Sequence, residues 1–222
     1  KTSKRSEGRP AATGGHAGVK PGTRALGIAE STSAETCLFC GAVVRADRAV
    51  DGVGFATATV GGLDATDAVR TLLDRLDRED VRYLLVSGVA PAWFNLLDLD
   101  RIADAADRPV FAVSYESSPG LAPAIEAAFD GEERTARLAA YDRLPPRTRL
   151  RVNDETVFVR CAGDDETRVT GDDDSPPTAP PEAARVIRAY TPTGGRPEPL
   201  RVARLAARGA QQWRVADSDR HR

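Results

Sequence analysis

Methionine is absent from this chain of 222 residues, and histidine, cysteine and aromatic residues are scarce. The two histidines, His16 and His221, lie near the ends, so most histidine-based nucleophilic triads are excluded. Three cysteines (Cys37, Cys40 and Cys161) are an odd number with no disulfide framework, and the expectation is a reducing, cytoplasmic compartment. Aromatics make up 5% of the residues, so Ala, Val and Leu must fill the core. No apolar run approaches the roughly 20 residues that span a bilayer, and no membrane partner is expected. Residues 1–24 are polar, basic and Gly-containing, unlike a signal peptide. A chain that starts with Lys and has no Met is expected to lack its natural start.

Hydrophobic residues make up 41% of the chain, enough for one core in one domain with tails. The net charge is −2, but it is unevenly placed. Residues 1–24 carry six Lys/Arg and one acid, residues 196–222 carry seven Arg and three acids, and the middle is left at −11. A basic end either reaches a phosphate backbone or is a solvated tail.

Residues 1–22 read as a disordered basic arm and residues 23–208 as the folded domain. Arg24–Ala29 is a first strand, residues 36–50 are β-rich with a turn at Ala46-Asp47, and a third strand covers about 50–60. The chain therefore opens with an antiparallel meander. The period then changes. Apolar residues at 65, 68, 69, 72, 73 and 76 predict a helix, with Asp64 at its N-cap position after Gly61-Gly62. Strands at Val81–Ser87 and Pro109–Tyr115 alternate with helices at Leu99–Asp107, Gly120–Phe129 and Glu132–Leu144. Residues 150–162 suggest a further hairpin, 164–182 an acidic Pro-rich loop, Glu182–Tyr190 a helix and Pro199–Arg208 a last one, with a disordered tail over 209–222. An antiparallel meander followed by alternating helices and parallel strands is an α/β fold with a ribonuclease-H-like layout, which places metal-binding carboxylates on the first strand and at neighbouring element ends.

Four stretches resemble the endonuclease dU family, a mostly archaeal group: Lys20–Ser31, Val60-Gly-Gly-Leu-Asp-Ala-Thr-Asp-Ala-Val69, Trp93–Leu99 and Gly195-Arg-Pro-Glu-Pro-Leu-Arg-Val-Ala-Arg-Leu205. They run in order over nearly the whole domain. More distantly, Leu85-Val-Ser-Gly88 followed by a helix and Arg108-Pro-Val-Phe-Ala-Val113 is similar to the core of endonuclease V. The resemblance implies a repair nuclease that cuts DNA containing deoxyuridine with a divalent metal, Mg²⁺ or Mn²⁺. Endonuclease V carries an aspartate on its first strand where this chain has Ala29, an aspartate at the place of Ser87 and a lysine at the place of Tyr115. Only its middle acid has a counterpart, Asp64. Glu30 could replace the first acid only if the strand ends there, because a one-residue shift reverses the face.

Glu30, Asp64, Asp67 and Asp98 are the carboxylates this reading selects, with Glu30 and Asp64 as metal ligands. Asp64 and Asp67 can face one side of a helix start, yet Asp64 is equally suited to capping, and Asp98 to capping the next helix. Trp93 could stack on a flipped base and Asn95 bond its edge, whereas Phe94 reads as a core anchor. Tyr115 joins them as a substrate contact. Arg196 and Arg201 flank Glu198, either as a phosphate clamp or as an internal ion pair. Cys37 and Cys40 form a CxxC without further ligands and read as small core residues rather than a zinc site. Gly61-Gly62 lacks the Gly-Lys-Ser/Thr of a P-loop.

Three functions remain open: a metal-dependent endonuclease acting on deaminated DNA, a non-catalytic nucleic-acid-binding relative, and a small-molecule-binding α/β protein. Clustered Glu30 and Asp64 amid basic surface favour the first, scattered acids the second, and a closed apolar pocket the third.

Overall fold

The computed structural model describes residues 18–163 and 178–220, the last three of these as backbone only. Most of the basic arm, both histidines and residues 164–177 of the acidic loop lie outside the described residues.

Seven strands form one sheet in the order β3-β2-β1-β4-β5-β7-β6. The opening meander is as expected: β1 (Arg24–Ser33), β2 (Thr36–Arg45) and β3 (Val50–Thr59) pair antiparallel. β4 (Val81–Ser87) then adds parallel to β1, and β5 (Val110–Ser114) parallel to β4. The hairpin β6 (Thr148–Val152) and β7 (Glu155–Ala162) closes the far edge, with β7 antiparallel to β5.

Strand alternation sorts the apolar residues onto two faces. On one face Ile28, Phe39, Leu84, Val86 and Ala112 pack against α1 (Ala65–Leu76) and α3 (Leu99–Ala106). On the other, Tyr83, Leu85, Phe111 and Val113 pack against α6 (Pro181–Ala189), and Ala29, Ala42 and Val44 meet Ala203 of α7 (Glu198–Arg220). Each fully buried Leu, Ile or Phe contributes about 1.5–3 kcal/mol. Between the strands, α2 (Pro91–Phe94) is a single turn after β4, and α4 (Ala122–Ala128) and α5 (Gly131–Asp142) connect β5 to β6. Gly27 is what lets α7 lie on β1: a Cβ there would come within 2.2 Å of the Pro199 carbonyl. The Pro-Glu-Pro-Leu-Arg stretch thus has a packing role, seating the start of α7 on the central sheet.

Three expectations are corrected. β1 runs four residues beyond Ala29, because Glu30–Ser33 stay paired with Phe39–Thr36 of the hairpin. The tail expected from 209 is instead helix as far as Arg220: buried Ala207 and Gln211 prolong the stripe begun by Leu200 and Ala203. The segment between β4 and α3, read as a plain loop, turns in the left-handed region at Ala92 (φ 47°), Trp93 (φ 60°) and Phe94 (φ 57°). No glycine announces this turn. One tertiary bond and one local bond hold it: the Gly61 N–H donates to the Ala92 carbonyl at 2.8 Å, and the Asn95 N–H closes the turn on the Pro91 carbonyl at 3.0 Å.

Candidate functional site

The turn between β3 and α1 brings Asp64 back over the end of β3. Its carboxylate accepts from the Thr59 N–H at 3.1 Å, from Thr59 Oγ1 at 2.9 Å and from Asn95 Nδ2 at 2.7 Å. It does not cap α1. Asn95 does, since its Oδ1 accepts from the Ala65 N–H at 2.9 Å while Nδ2 also donates to the Thr59 carbonyl at 2.9 Å. Asn95 is fully buried and its amide is satisfied inside the protein, so it holds Asp64 rather than offering an edge to a base. Burial raises the Asp64 pKa, but the donors from Asn95 and Thr59 outweigh it, and the carboxyl lies below its ordinary value.

Glu30 stands on β1 opposite Phe39, and its carboxylate lies 3.5 Å from the Arg204 guanidinium of α7. Because the strand continues past it, Glu30 points to the face opposite Ala29 and cannot substitute for a carboxylate at that position. Its charge and that of Asp64 both reach Cys37. Burial above all, then the charge of Glu30 and, more weakly, that of Asp64 push the Cys37 thiol up to about 12, against a hydrogen bond with Thr32. Cys37, Cys40 and Cys161 are all free and buried.

Trp93 is 61% exposed at the rim of this site, and its ring lies 3.5 Å from where a Cβ on Gly61 would stand. Phe94 packs edge-on between Trp93 and Phe129, at centroid distances of 5.4 and 5.8 Å. Arg137 is 2% exposed, stacks 3.9 Å over Phe129 and donates to the Gly61 carbonyl, tying α5 to the loop before Asp64.

The remaining candidates are engaged elsewhere. Asp67 is exposed and pairs with Arg101 at 3.0 Å and Arg70 at 3.5 Å. Asp98 caps α3, accepting from the Arg101 N–H at 3.1 Å. Arg201 and Glu198 form an ion pair at 2.5 Å on α7, which is the internal alternative to a phosphate clamp. Arg196 instead lies 4.6 Å over the ring of Tyr115. Thr59, Arg137 and Arg204 were missed at the sequence level, because no local pattern marks a partner brought in by tertiary folding.

Among the described residues no three or more His, Cys, Asp or Glu side chains are arranged to hold a metal ion. Glu30 and Asp64 offer two carboxylates. Mg²⁺ needs only one or two carboxylates when water and substrate oxygens complete its shell, but Glu30 is already paired with Arg204 and Asp64 with Thr59 and Asn95.

A sequence model of endonuclease dU matches residues 21–211. The chain belongs to the endonuclease dU family. It is 33% identical over 199 residues to a UPF0215 protein of Thermococcus kodakarensis, covering 85% of this chain and 92% of that one. A UPF0215 protein of Methanopyrus kandleri is 30% identical over 198 residues, with 86% and 92% covered. A protein of unknown function from Archaeoglobus fulgidus superposes with a TM-score of 0.69 at 24% identity, over 84% of this chain and 97% of that one. Human endonuclease V superposes with a TM-score of 0.54 at 12% identity, over 87% and 86%. Endonuclease V of Ciona intestinalis, solved with a 24mer DNA containing an inosine followed by a ribo-adenosine, gives 0.53 at 12%, over 87% and 91%. This endonuclease dU protein thus has the ribonuclease-H-like α/β fold that its strand order implies.

Proposed function

We propose that the protein is a nuclease that cuts DNA at deaminated bases, deoxyuridine first among them, with Glu30 and Asp64 at the centre of its site. The observation that carries this reading is Asp64, a carboxylate kept ionised by three donors at the head of α1, after a Gly61-Gly62 turn against which an exposed Trp93 lies. Hydrolysis of a phosphodiester bonds a water oxygen to phosphorus and releases the leaving oxygen with a proton. A bound Mg²⁺ or Mn²⁺ would supply charge stabilisation and an acidified water, with Glu30 and Asp64 as its protein ligands. Thr59 and Asn95 fix the Asp64 carboxylate in one orientation and keep it charged. Arg204 sets the position of Glu30 and offsets part of the paired negative charge. Trp93, with an open face and two stiff χ angles, offers a stacking platform to an unpaired base.

The second reading is a nucleic-acid-binding relative without catalysis. It is favoured by Ala29 and Ser87, which stand where endonuclease V has acids, and by the absence of a third clustered ligand among the described residues.

Labelled duplexes carrying one deoxyuridine or one deoxyinosine, incubated with Mg²⁺, Mn²⁺ or EDTA, separate the two. The nuclease reading expects metal-dependent cutting at the lesion that Asp64→Ala abolishes. Folded wild-type protein that binds these duplexes and leaves them intact in every metal selects the second.

A further inference from the structure

A cavity lies at the carboxyl ends of β4 and β5, where α/β sheets carry their ligands and where Ser87 and Tyr115 take the places of an aspartate and a lysine of endonuclease V. Its volume is about 370 Å³, and its wall includes Ser87, Gly88, Tyr115, Arg147, Arg160 and Arg196. Three arginines here face one space, and none has a carboxylate within ion-pair distance among the described residues. The one carboxylate of the wall, Glu116, is exposed.

The arginines are oriented by contacts that leave N–H groups free. Arg147 is stacked 3.9 Å over Phe158 and donates to the carbonyls of Ser118 at 3.0 Å and Glu116. Arg160 donates to the Pro145 carbonyl and to the Tyr141 hydroxyl at 3.4 Å, its guanidinium 5.4 Å from the Tyr141 ring. Among the described residues Arg196 has no side-chain hydrogen-bond partner, and it lies 4.6 Å over Tyr115. A guanidinium has five N–H donors, so all three retain donors that no acceptor among the described residues takes. Loss of water lowers the pKa of Arg147 and of Arg160, and Arg147 adds its repulsion to Arg160. The Tyr115 hydroxyl is buried and has no hydrogen-bond partner among the described residues. Desolvation, only partly countered by Arg196 and Arg204, pushes its pKa up to about 12, so it stays a protonated donor. An unpartnered buried donor beside positive groups that repel one another is a cost in the empty protein, and an anion removes both penalties.

The wall also has an apolar part, Val89, Ala112, Val113 and Leu121, and the ring of Tyr141. Three arginines match phosphate oxygens, and the apolar part matches a planar base. We propose that this cavity binds a nucleoside monophosphate, held at its phosphate by Arg147, Arg160, Arg196 and the Tyr115 hydroxyl. The group can arrive on a free nucleotide or as the phosphorylated end of a strand. The assignment deepens the nuclease reading, which already takes Tyr115 and Arg196 as substrate contacts, but it is tested by binding and not by cleavage.

Calorimetric titration of the full chain with the four deoxynucleoside 5′-monophosphates, the four deoxynucleosides, inorganic phosphate, and a single strand with and without a 5′-phosphate tests it. The expected result is binding of the phosphorylated probes and at least about tenfold weaker binding of their unphosphorylated counterparts. Tyr115→Phe and Arg196→Gln should each weaken that binding about tenfold or more. Tyr115→Phe removes only an unpartnered oxygen, so its melting temperature should be equal to or above that of the wild type. Preference for the phosphorylated strand over free nucleotides makes strand ends the natural source; the reverse makes free nucleotides the source. Nucleosides binding as well as nucleotides, no phosphorylated probe binding, or unchanged affinity in both variants overturns the proposal. Cleavage of lesion DNA is read separately, so loss of either idea leaves the other standing.

Discussion

Asn95 links three pieces of chain that the sequence keeps far apart: the end of β3, the head of α1 and the turn after β4. Asn95→Ala leaves Ala65 N–H uncapped, the Thr59 carbonyl with one donor fewer and Asp64 with its shortest hydrogen bond gone. The expected loss is about 3 kcal/mol in urea unfolding, and a value within the ~0.5 kcal/mol of an ordinary surface change would contradict the network. Asp64 also gives stability a pH dependence. Its folded pKa is depressed, so its contribution is fully present above the unfolded value and is lost as pH falls through the folded value. Unfolding midpoints of wild type should therefore fall on acidification below the ordinary carboxylate range. Asp64→Asn should be less stable at neutral pH and should lack that part of the acid loss; parallel curves for the two proteins would rule the linkage out.

At the scale of elements, the left-handed turn is where strain is concentrated. Non-glycine residues there cost about 1–2 kcal/mol each, and glycine carries an entropic cost of about 0.5–1 kcal/mol. Ala92→Gly should accordingly be neutral or stabilising by up to about 1 kcal/mol although Ala92 is buried, whereas a loss above about 1 kcal/mol would mean that its methyl group outweighs the backbone term. This turn also marks the limit of what the sequence makes legible. The helix at 65–76 and the strand at 81–87 are written in local periodicity, and they fold as read. Ala92, Trp93 and Phe94 carry no local sign of positive φ; the bond from Gly61 imposes it. The length of β1 is hidden because Glu30–Ser33 are polar and are kept extended by their hairpin partners. The end of α7 was readable, since Leu200, Ala203, Ala207 and Gln211 recur at helical spacing, but a polar Gln in the last place disguises the stripe. The site was legible as residue types and not as geometry. Asp98 and Arg201 take partners their own helices supply, and Asp67 pairs with Arg70 of its own helix and Arg101 of α3.

For the whole molecule, charge decides how a polyanion can approach. The chain is net −2, so attraction to a duplex must come from local basic surface rather than from overall charge. Binding to DNA should therefore weaken steeply with salt, with a slope of about −0.9 per phosphate contact in a plot of log affinity against log salt. A flat salt response in a fluorescence anisotropy titration would point away from backbone contacts altogether. The fold agrees with that of endonuclease V over most of both chains, but at 12% identity the likeness extends to the framework and leaves the chemistry to this chain's own side chains.

The three sealed thiols have a practical consequence. Cys37, Cys40 and Cys161 sit in separate strands or strand positions of the sheet, and each is pushed up to about 12 by burial. A thiol-reactive dye should find nothing to attack in the closed molecule, so its uptake becomes a clock for opening events. Cys37, on β2 opposite Thr32 of β1, times the loosening of that hairpin, and Cys161 on β7 times the far side of the sheet. Ligands added to either site can then be ranked by which hand of the clock they slow.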